Sequence, residues 1–393
     1  MSDAENPLLP QINEALTTVQ DPEIRRPITD LGMVDGVSVD DQGNVDVKIL
    51  LTVAGCPLQT TIRGDVQNAL DKVEGVKDVN IELGTMNAQQ REAMRNTLRG
   101  GEPEHEITFA QPGNLTRVLA VASGKGGVGK SSVTVNLALA LAQRGLKVGL
   151  LDADIYGHSV PDMLGIPDAH PTVVDDMIMP VPALGISSIS IGMLKESRDQ
   201  VMPRAGTGMI AWRGPILDRA LTQLLADVYW GDLDWFLIDL PPGTGDVAMS
   251  IGQKLPGSDV IVVTTPQANV AEVSERAGTM ANMMHQQVIG VVENMSYLDY
   301  TCPKCGNHDH IELFGAGGGA QTAAALTERV GHSVPLLGQI PIDPVISSGG
   351  ESGDPVVLAA PENPSAKAIT TLAAMLASKP KGLAGKPLKM AVK

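Results

Sequence analysis

Residues 123–132 read Ser-Gly-Lys-Gly-Gly-Val-Gly-Lys-Ser-Ser. Gly124, four intervening residues and then Gly129-Lys130-Ser131 have the spacing of a phosphate-binding loop. Backbone without Cβ can wrap closely around phosphates, so Gly124, Gly126, Gly127 and Gly129, with Val128 between them, are expected to aim N–H groups inward. Lys130 is expected to neutralise the β- and γ-phosphates of ATP, Ser131 to place its hydroxyl on Mg²⁺, and Ser132 to close the loop. A helix starting near Lys130 would add the positive end of its dipole. Lys125 is an extra cation directly after the first glycine.

Two acidic segments complete a hydrolytic site. Asp152-Ala153-Asp154 follows an apolar run, and a carboxylate leaving a strand beside the loop can hold Mg²⁺ or orient water. Asp154 is the candidate for positioning water, with a helix N-cap as its plainer role. Asp239 ends a second apolar run and is the expected outer partner of Mg²⁺. The glycines of Pro241-Pro242-Gly243-Thr244-Gly245-Asp246 would let that loop respond to a γ-phosphate. Asn294 is placed to read a purine edge, and Thr265-Pro266 and Pro341 to line base or ribose.

Cys302-Pro303-Lys304-Cys305 is a C-x2-C turn, which directs two thiolates at one soft metal. Its surroundings leave three readings open. With His308 and His310 it offers a Cys2His2 zinc set, though more tightly spaced than usual. Two such turns meeting across a dimer axis would supply four thiolates, the usual ligation of an iron–sulfur cluster. A redox pair is the third. Cys56 stands in Ala54-Gly55-Cys56-Pro57, where it is either a reactive thiol or a small buried one.

These residues need an α/β frame. Val118–Ala122, Val148–Leu151, Phe236–Ile238, Val260–Val263, Val288–Val292 and Leu336–Ile340 read as buried strands alternating with helices. That order implies a mostly parallel sheet with nucleotide at the carboxyl ends of its strands. Domains are expected at 1–85 (a small α+β unit) and 114–378 (the nucleotide unit), with 86–113 as a linker with room for a helix at its start and 379–393 as a disordered basic tail. In the first unit Asn13–Val19 and Thr60–Val73 read as helices, Val45–Val53 and Val76–Leu83 as strands.

Composition narrows the function. The 393 residues are 43% hydrophobic but only 3% aromatic, which suits aliphatic parallel strands. A formal charge of −16 speaks against non-specific nucleic-acid binding and against adhesion to anionic membranes. Three cysteines are too few for a disulfide framework, and no apolar run approaches the roughly 20 residues that span a bilayer. A cytoplasmic protein is expected.

Lys125 makes the loop resemble the deviant phosphate-loop ATPases, which include partitioning, Min-type and nitrogenase iron proteins. By that resemblance it would reach across a two-fold interface to the partner's nucleotide and support the transition state. The wider chain resembles the Mrp/ApbC family of iron–sulfur carrier ATPases. The resemblance rests on SGKGGVGKSS (123–132), DADIYGHSVPDMLG (152–165), AWRGPIL (211–217), DLPPGTGD (239–246), TTPQ (264–267), GVVENMSY (290–297), CPKCG (302–306), FGAGGG (314–319) and LLGQIPIDP (336–344). DPEIRRPITDLGMV (21–34) and LTVAGCPLQTTI (51–62) resemble the small iron–sulfur-assembly domain often fused to it.

The resemblance implies that Cys302 and Cys305 of two subunits bridge one [4Fe–4S] cluster in a homodimer. It also implies that apo iron–sulfur proteins and a cluster-assembly scaffold are the partners. Lys125, Lys130, Ser131, Asp154, Asp239 and Asn294 fall on the family's nucleotide and Mg²⁺ positions. His158 and Ala271-Glu272-Val273 depart from its pattern. The expected activity is therefore an ATP-hydrolysing cluster carrier. Its rivals are a Min-type positioning ATPase, a zinc-stabilised nucleotide-dependent regulator and a reductase-like electron carrier.

Overall fold

A computed structural model of the chain describes residues 6–22, 24, 26–52, 58–99, 106–111, 113–154, 157, 159–174, 177–194 and 214–378. Cys56, His158 and the tail 379–393 lie outside them, so the readings made on those positions do too.

The chain divides into two compact units. One comprises residues 1–106 with 171–182 and 227–231. It contains α1 (Leu9–Thr17), β1 (Val34–Val39), β2 (Asn44–Leu51), α2 (Gln59–Leu70), β3 (Asp78–Thr85) and α3 (Ala88–Arg99). β1 and β2 pair antiparallel, β2 and β3 parallel. Period-2 burial of Val45, Val47 and Ile49 turns one face of β2 to the core. Ile12 and Leu16, one helical turn apart on α1, pack into that core, as do Ile62, Val66 and Leu70 of α2. Val174, Met177 and Met179 belong to the same cluster.

The other unit comprises residues 107–170, 183–226 and 232–393. Its first elements are β4 (Arg117–Ser123), α4 (Lys130–Ala142), β5 (Val148–Asp152) and α5 (Val160–Met163). The short strands β6 (Val173–Val174) and β7 (Met177–Ile178) come next in the chain and pair with each other. There follow β8 (Val181–Ala183), β9 (Ile186–Ser190), α6 (Gly214–Ala226), β10 (Trp235–Asp239), α7 (Asp246–Lys254), β11 (Asp259–Thr264) and α8 (Ala268–Met283). The last are β12 (Gln287–Thr301), β13 (His308–Ile311), α9 (Gly318–Val330), β14 (Leu336–Ile342), α10 (Pro344–Ser352), α11 (Val356–Ala359) and α12 (Pro364–Ser378).

Among the described residues a nine-stranded sheet runs β13-β12-β11-β4-β10-β5-β9-β8, with β14 also on β12. The pairings among β9, β5, β10, β4, β11, β12 and β14 are parallel, and β13 pairs antiparallel on β12. This is the expected mostly parallel α/β sheet. All six strands read from the sequence for this unit are present, each longer at one or both ends. β12 differs most: read as five residues, it runs for 15. Helix α4 is buried on nearly every side, consistent with its run of alternating valine, leucine and alanine. No helix among the described residues is long and apolar enough to cross a membrane.

Candidate functional site

The phosphate loop joins β4 to α4, at the centre of the sheet. Gly127 (φ 79°) and Gly129 (φ 76°) adopt the left-handed conformation, and Gly129 is the residue from which α4 starts. Gly124 is needed for a different reason. A Cβ there would run into the backbone of Val273 and Ser274 in α8. The loop opens onto a cleft of about 200 Å³ whose lining includes Lys125, Ser131, Ser132, Asp154, Met163 and Pro242.

Beneath the loop lies a buried charge cluster. Lys130 Nζ donates to Asp239 Oδ1 at 2.6 Å, and Ser131 Oγ donates to Asp239 Oδ2 at 2.6 Å. Thr134, one turn along α4, donates to Asp239 Oδ1 at 2.9 Å. Asp239 has no exposed surface and Lys130 is 6% exposed. The parallel register of β10 on β5 sets Asp239 beside Asp152, whose surface is also fully covered. Asp152 accepts hydrogen bonds from the Ser190 hydroxyl at 2.9 Å and from the backbone N–H of Asp154 at 3.0 Å. Burial, with the negative charge of Asp239 beside it, pushes the Asp152 carboxyl up to about 7.

That shift has a sign. Its unfolded-chain value is 3.8, so between about pH 4 and 7 the folded state holds a proton that the unfolded chain releases. Stability from this group is complete below pH 4 and is lost as pH rises through 7, by on the order of 4 kcal/mol. Asp152→Asn keeps the bond to Asp154 N–H and can donate to Ser190. Denaturant titrations from pH 5 to 8.5 should show a flatter slope for it, and greater stability than wild type above pH 7. An unaltered slope would place the titrating group elsewhere.

The sequence reading chose Asp154 over Asp152. The structure sets Asp154 on the cleft wall, where its Oδ1 accepts from Gly157 N–H at 3.0 Å. Asn294 is buried, and its amide nitrogen donates to the Val128 carbonyl at 2.9 Å, bracing the loop from behind. Lys125 is exposed on the loop's outer turn. Thr134, Ser190 and the buried Glu293 were not singled out. Glu293 accepts from Gly319 N–H at 2.6 Å and from Gln339 at 2.7 Å, tying α9 and β14 to β12. Their signal was adjacency: Glu293 precedes Asn294, and Thr134 follows Lys130 by one helical turn.

Cys302 and Cys305 lie in the turn of the β12–β13 hairpin. Cys302 N–H donates to the Asn307 carbonyl at 2.8 Å, Gly306 N–H to the Cys302 carbonyl at 2.9 Å, and Gly306 has φ 72°. Cys305 is exposed and Cys302 half-buried. Hydrogen bonds from the backbone N–H groups of Cys305 and Lys304, with lesser ones from the Cys305 thiol and Tyr300 hydroxyl, hold the Cys302 thiol below its usual value. Such donors favour the thiolate, the form that binds metal. The single-chain Cys2His2 set is not assembled. Among the described residues, the group of potential ligands that converges contains His308 and His310 with Asp299, and neither cysteine.

Comparison with known proteins covers both units. Residues 10–83 match the family described as iron-sulfur cluster assembly protein, and residues 114–377 match the NUBPL iron-transfer P-loop NTPase family. A Mycobacterium tuberculosis protein named iron-sulfur cluster carrier protein is 50% identical over 377 residues, covering 96% of this chain and 95% of its own. A Deinococcus radiodurans protein of the same name is 41% identical over 365 residues, 92% of this chain and 93% of its own. Among solved structures, a nucleotide-binding protein from Archaeoglobus fulgidus in complex with ADP is 35% identical, with a TM-score of 0.50. The similarity covers 64% of this chain and 90% of that one. Similarity sustained from the small unit through the cysteine hairpin leaves one assignment: the chain belongs to the iron-transfer P-loop NTPases, in the form preceded by an iron–sulfur cluster assembly domain.

Proposed function

We propose that this protein is an ATP-binding and ATP-hydrolysing homodimer that holds a [4Fe–4S] cluster as cargo on Cys302 and Cys305 of both subunits, and passes it to apo-proteins in the cytoplasm. The observation that carries the reading is that the C-x2-C turn rises from β12, the strand whose Asn294 braces the phosphate loop. One chain offers two thiolates in that turn. A four-thiolate cluster therefore calls for a second copy.

In the nucleotide site, the loop backbone would hold the phosphates and Lys130 would turn from Asp239 to the β/γ oxygens. The donor set fits Mg²⁺, because Ser131 Oγ and Asp239 Oδ2 are hard oxygen ligands beside the loop. Ser131 would hold the ion, with Asp239 behind it. Bound there, Mg²⁺ would neutralise charge on the phosphates. Asp154, on the cleft wall, would orient water. Lys125 stands exposed at the loop's edge, where its ammonium is available to a partner's nucleotide. The small N-terminal unit would choose donors or recipients, a cluster-assembly scaffold among them. Nucleotide and cluster would then be linked reciprocally, each altering affinity for the other.

Anaerobic reconstitution with iron and sulfide tests this directly, with Cys302→Ala run beside wild type. About four iron and four sulfide per dimer are expected, and their loss in the variant. Stoichiometric zinc without labile sulfide would replace the carrier reading with a zinc-stapled nucleotide switch.

A further inference from the structure

Below the cysteine turn, three side chains of ligand type meet on one face of the hairpin. Strand pairing sets Asp299 opposite His310 and Thr301 opposite His308. Residues opposite one another, and those two apart on a strand, share a face, so Asp299, His308 and His310 project to the same side. Their ligand atoms all lie within 4.8 Å of one another. Asp299 Oδ1 is 2.5 Å from His308 Nε2 and 3.8 Å from His310 Nε2. Tyr297 stacks on the His310 ring with centroids 4.2 Å apart, which holds its orientation.

An aspartate–histidine ion pair is the ordinary explanation of such contacts, and it accounts for only part of this one. It needs one imidazole, whereas two Nε2 atoms converge here. Asp299 Oδ1 is itself buried and receives no hydrogen bond of good geometry, despite the short approach of His308. The two imidazoles also meet edge-on, with centroids 5.4 Å apart.

We propose that Asp299, His308 and His310 form a mononuclear site for a divalent transition metal, separate from the thiolates. Two imidazoles and one carboxylate with open remaining positions are a donor set suited to Fe²⁺ and its borderline neighbours. Metal–ligand bonds of about 2.0–2.2 Å place ligand atoms roughly 3–3.5 Å from one another, so Asp299 Oδ1 and His308 Nε2 must open from 2.5 Å and His310 Nε2 must move in from 3.8 Å. Small rotations achieve that, since both histidine side chains are more than half exposed, at 56% and 53%. Three protein ligands and an exposed position make the ion exchangeable. The inference stands independently of the cluster reading, because it uses neither cysteine.

The test titrates Co²⁺ alone into untagged full-length protein carrying Cys302→Ala and Cys305→Ala, with excess Mg²⁺ present to occupy all-oxygen sites. About one Co²⁺ per chain is expected, with paramagnetic shifts on the ring protons of His308 and His310. Adding Asp299→Asn or His310→Ala should weaken binding roughly tenfold or more, since even outer-shell partners of metal ligands contribute that much. Mg–ADP binding, measured alongside, should be unchanged and reports that the nucleotide unit is folded. Absence of Co²⁺ binding in the chain carrying Cys302→Ala and Cys305→Ala, or binding indifferent to Asp299→Asn, overturns the site.

Discussion

Lys130→Met is expected to lose nucleotide binding and to lower stability by about 3–5 kcal/mol, the usual consequence of removing one partner from a buried ion pair. The ammonium is the cation bonded to Asp239, which is fully covered and lies in register with the equally covered Asp152. Without it, two carboxylates share a dry space, held by the hydroxyls of Ser131, Thr134 and Ser190. The double variant Lys130→Met/Asp239→Asn separates the two effects. Replacing both charges with neutral groups of similar shape is often near-neutral for stability, so the double variant should regain most of the fold while nucleotide binding stays lost. Denaturant midpoints and titration with a fluorescent nucleotide read both quantities. A Lys130→Met midpoint equal to wild type would mean that the cluster carries no such strain.

Gly124→Ala should damage the protein before any nucleotide is added. The new methyl group would meet the carbonyl of Val273 and the amide nitrogen of Ser274. Both are backbone atoms of α8, which cannot swing aside as a side chain does. Overpacking ordinarily costs about 1–3 kcal/mol, and this site belongs at or above the upper end. For a unit of this size that corresponds to a fall in melting temperature of roughly 6–12 °C. Gly126→Ala is the control. Its Cβ would meet only Pro242 Cγ at 3.8 Å, an ordinary contact, so the apo protein should melt as wild type. Matching melting curves for the two variants would remove the steric argument.

The contrast between these glycines shows where the sequence was readable. The loop was legible because the motif fixes several residues within one short segment, and local geometry follows from spacing. The burial of Asp152 beside Asp239 was not. It depends on the parallel register that puts Asp239 next to Asp152, and register between strands 87 residues apart is not written in either strand. The same holds for the histidines. One of the three readings left open joined them to Cys302 and Cys305, while the antiparallel register of β13 turned them to Asp299 instead. Strand β1 was missed because Val34–Val39 contains a glycine and a half-exposed alternation. Helix α3 falls at the start of the stretch read as a linker, where the sequence reading allowed for a helix.

Strand β12 links the phosphate loop to the cysteine turn. Asn294 is tied to the Val128 carbonyl, and seven residues later Thr301 delivers the cysteine turn. Between them Met295 has φ 55°, and the ladder to β14 breaks between Asn294 and Leu298. Beyond that break the outer segment meets β14 at Leu298–Ile342 and is otherwise paired with β13, so the break is where a bend of the strand would fall. At about 3.3 Å per residue the arm is roughly 23 Å long, so a tilt of about 5° at its base moves the tip by about 2 Å. That displacement is comparable to a metal–sulfur bond length. Leverage, more than proximity, would let a small adjustment at Val128 change how tightly two facing turns grip what lies between them.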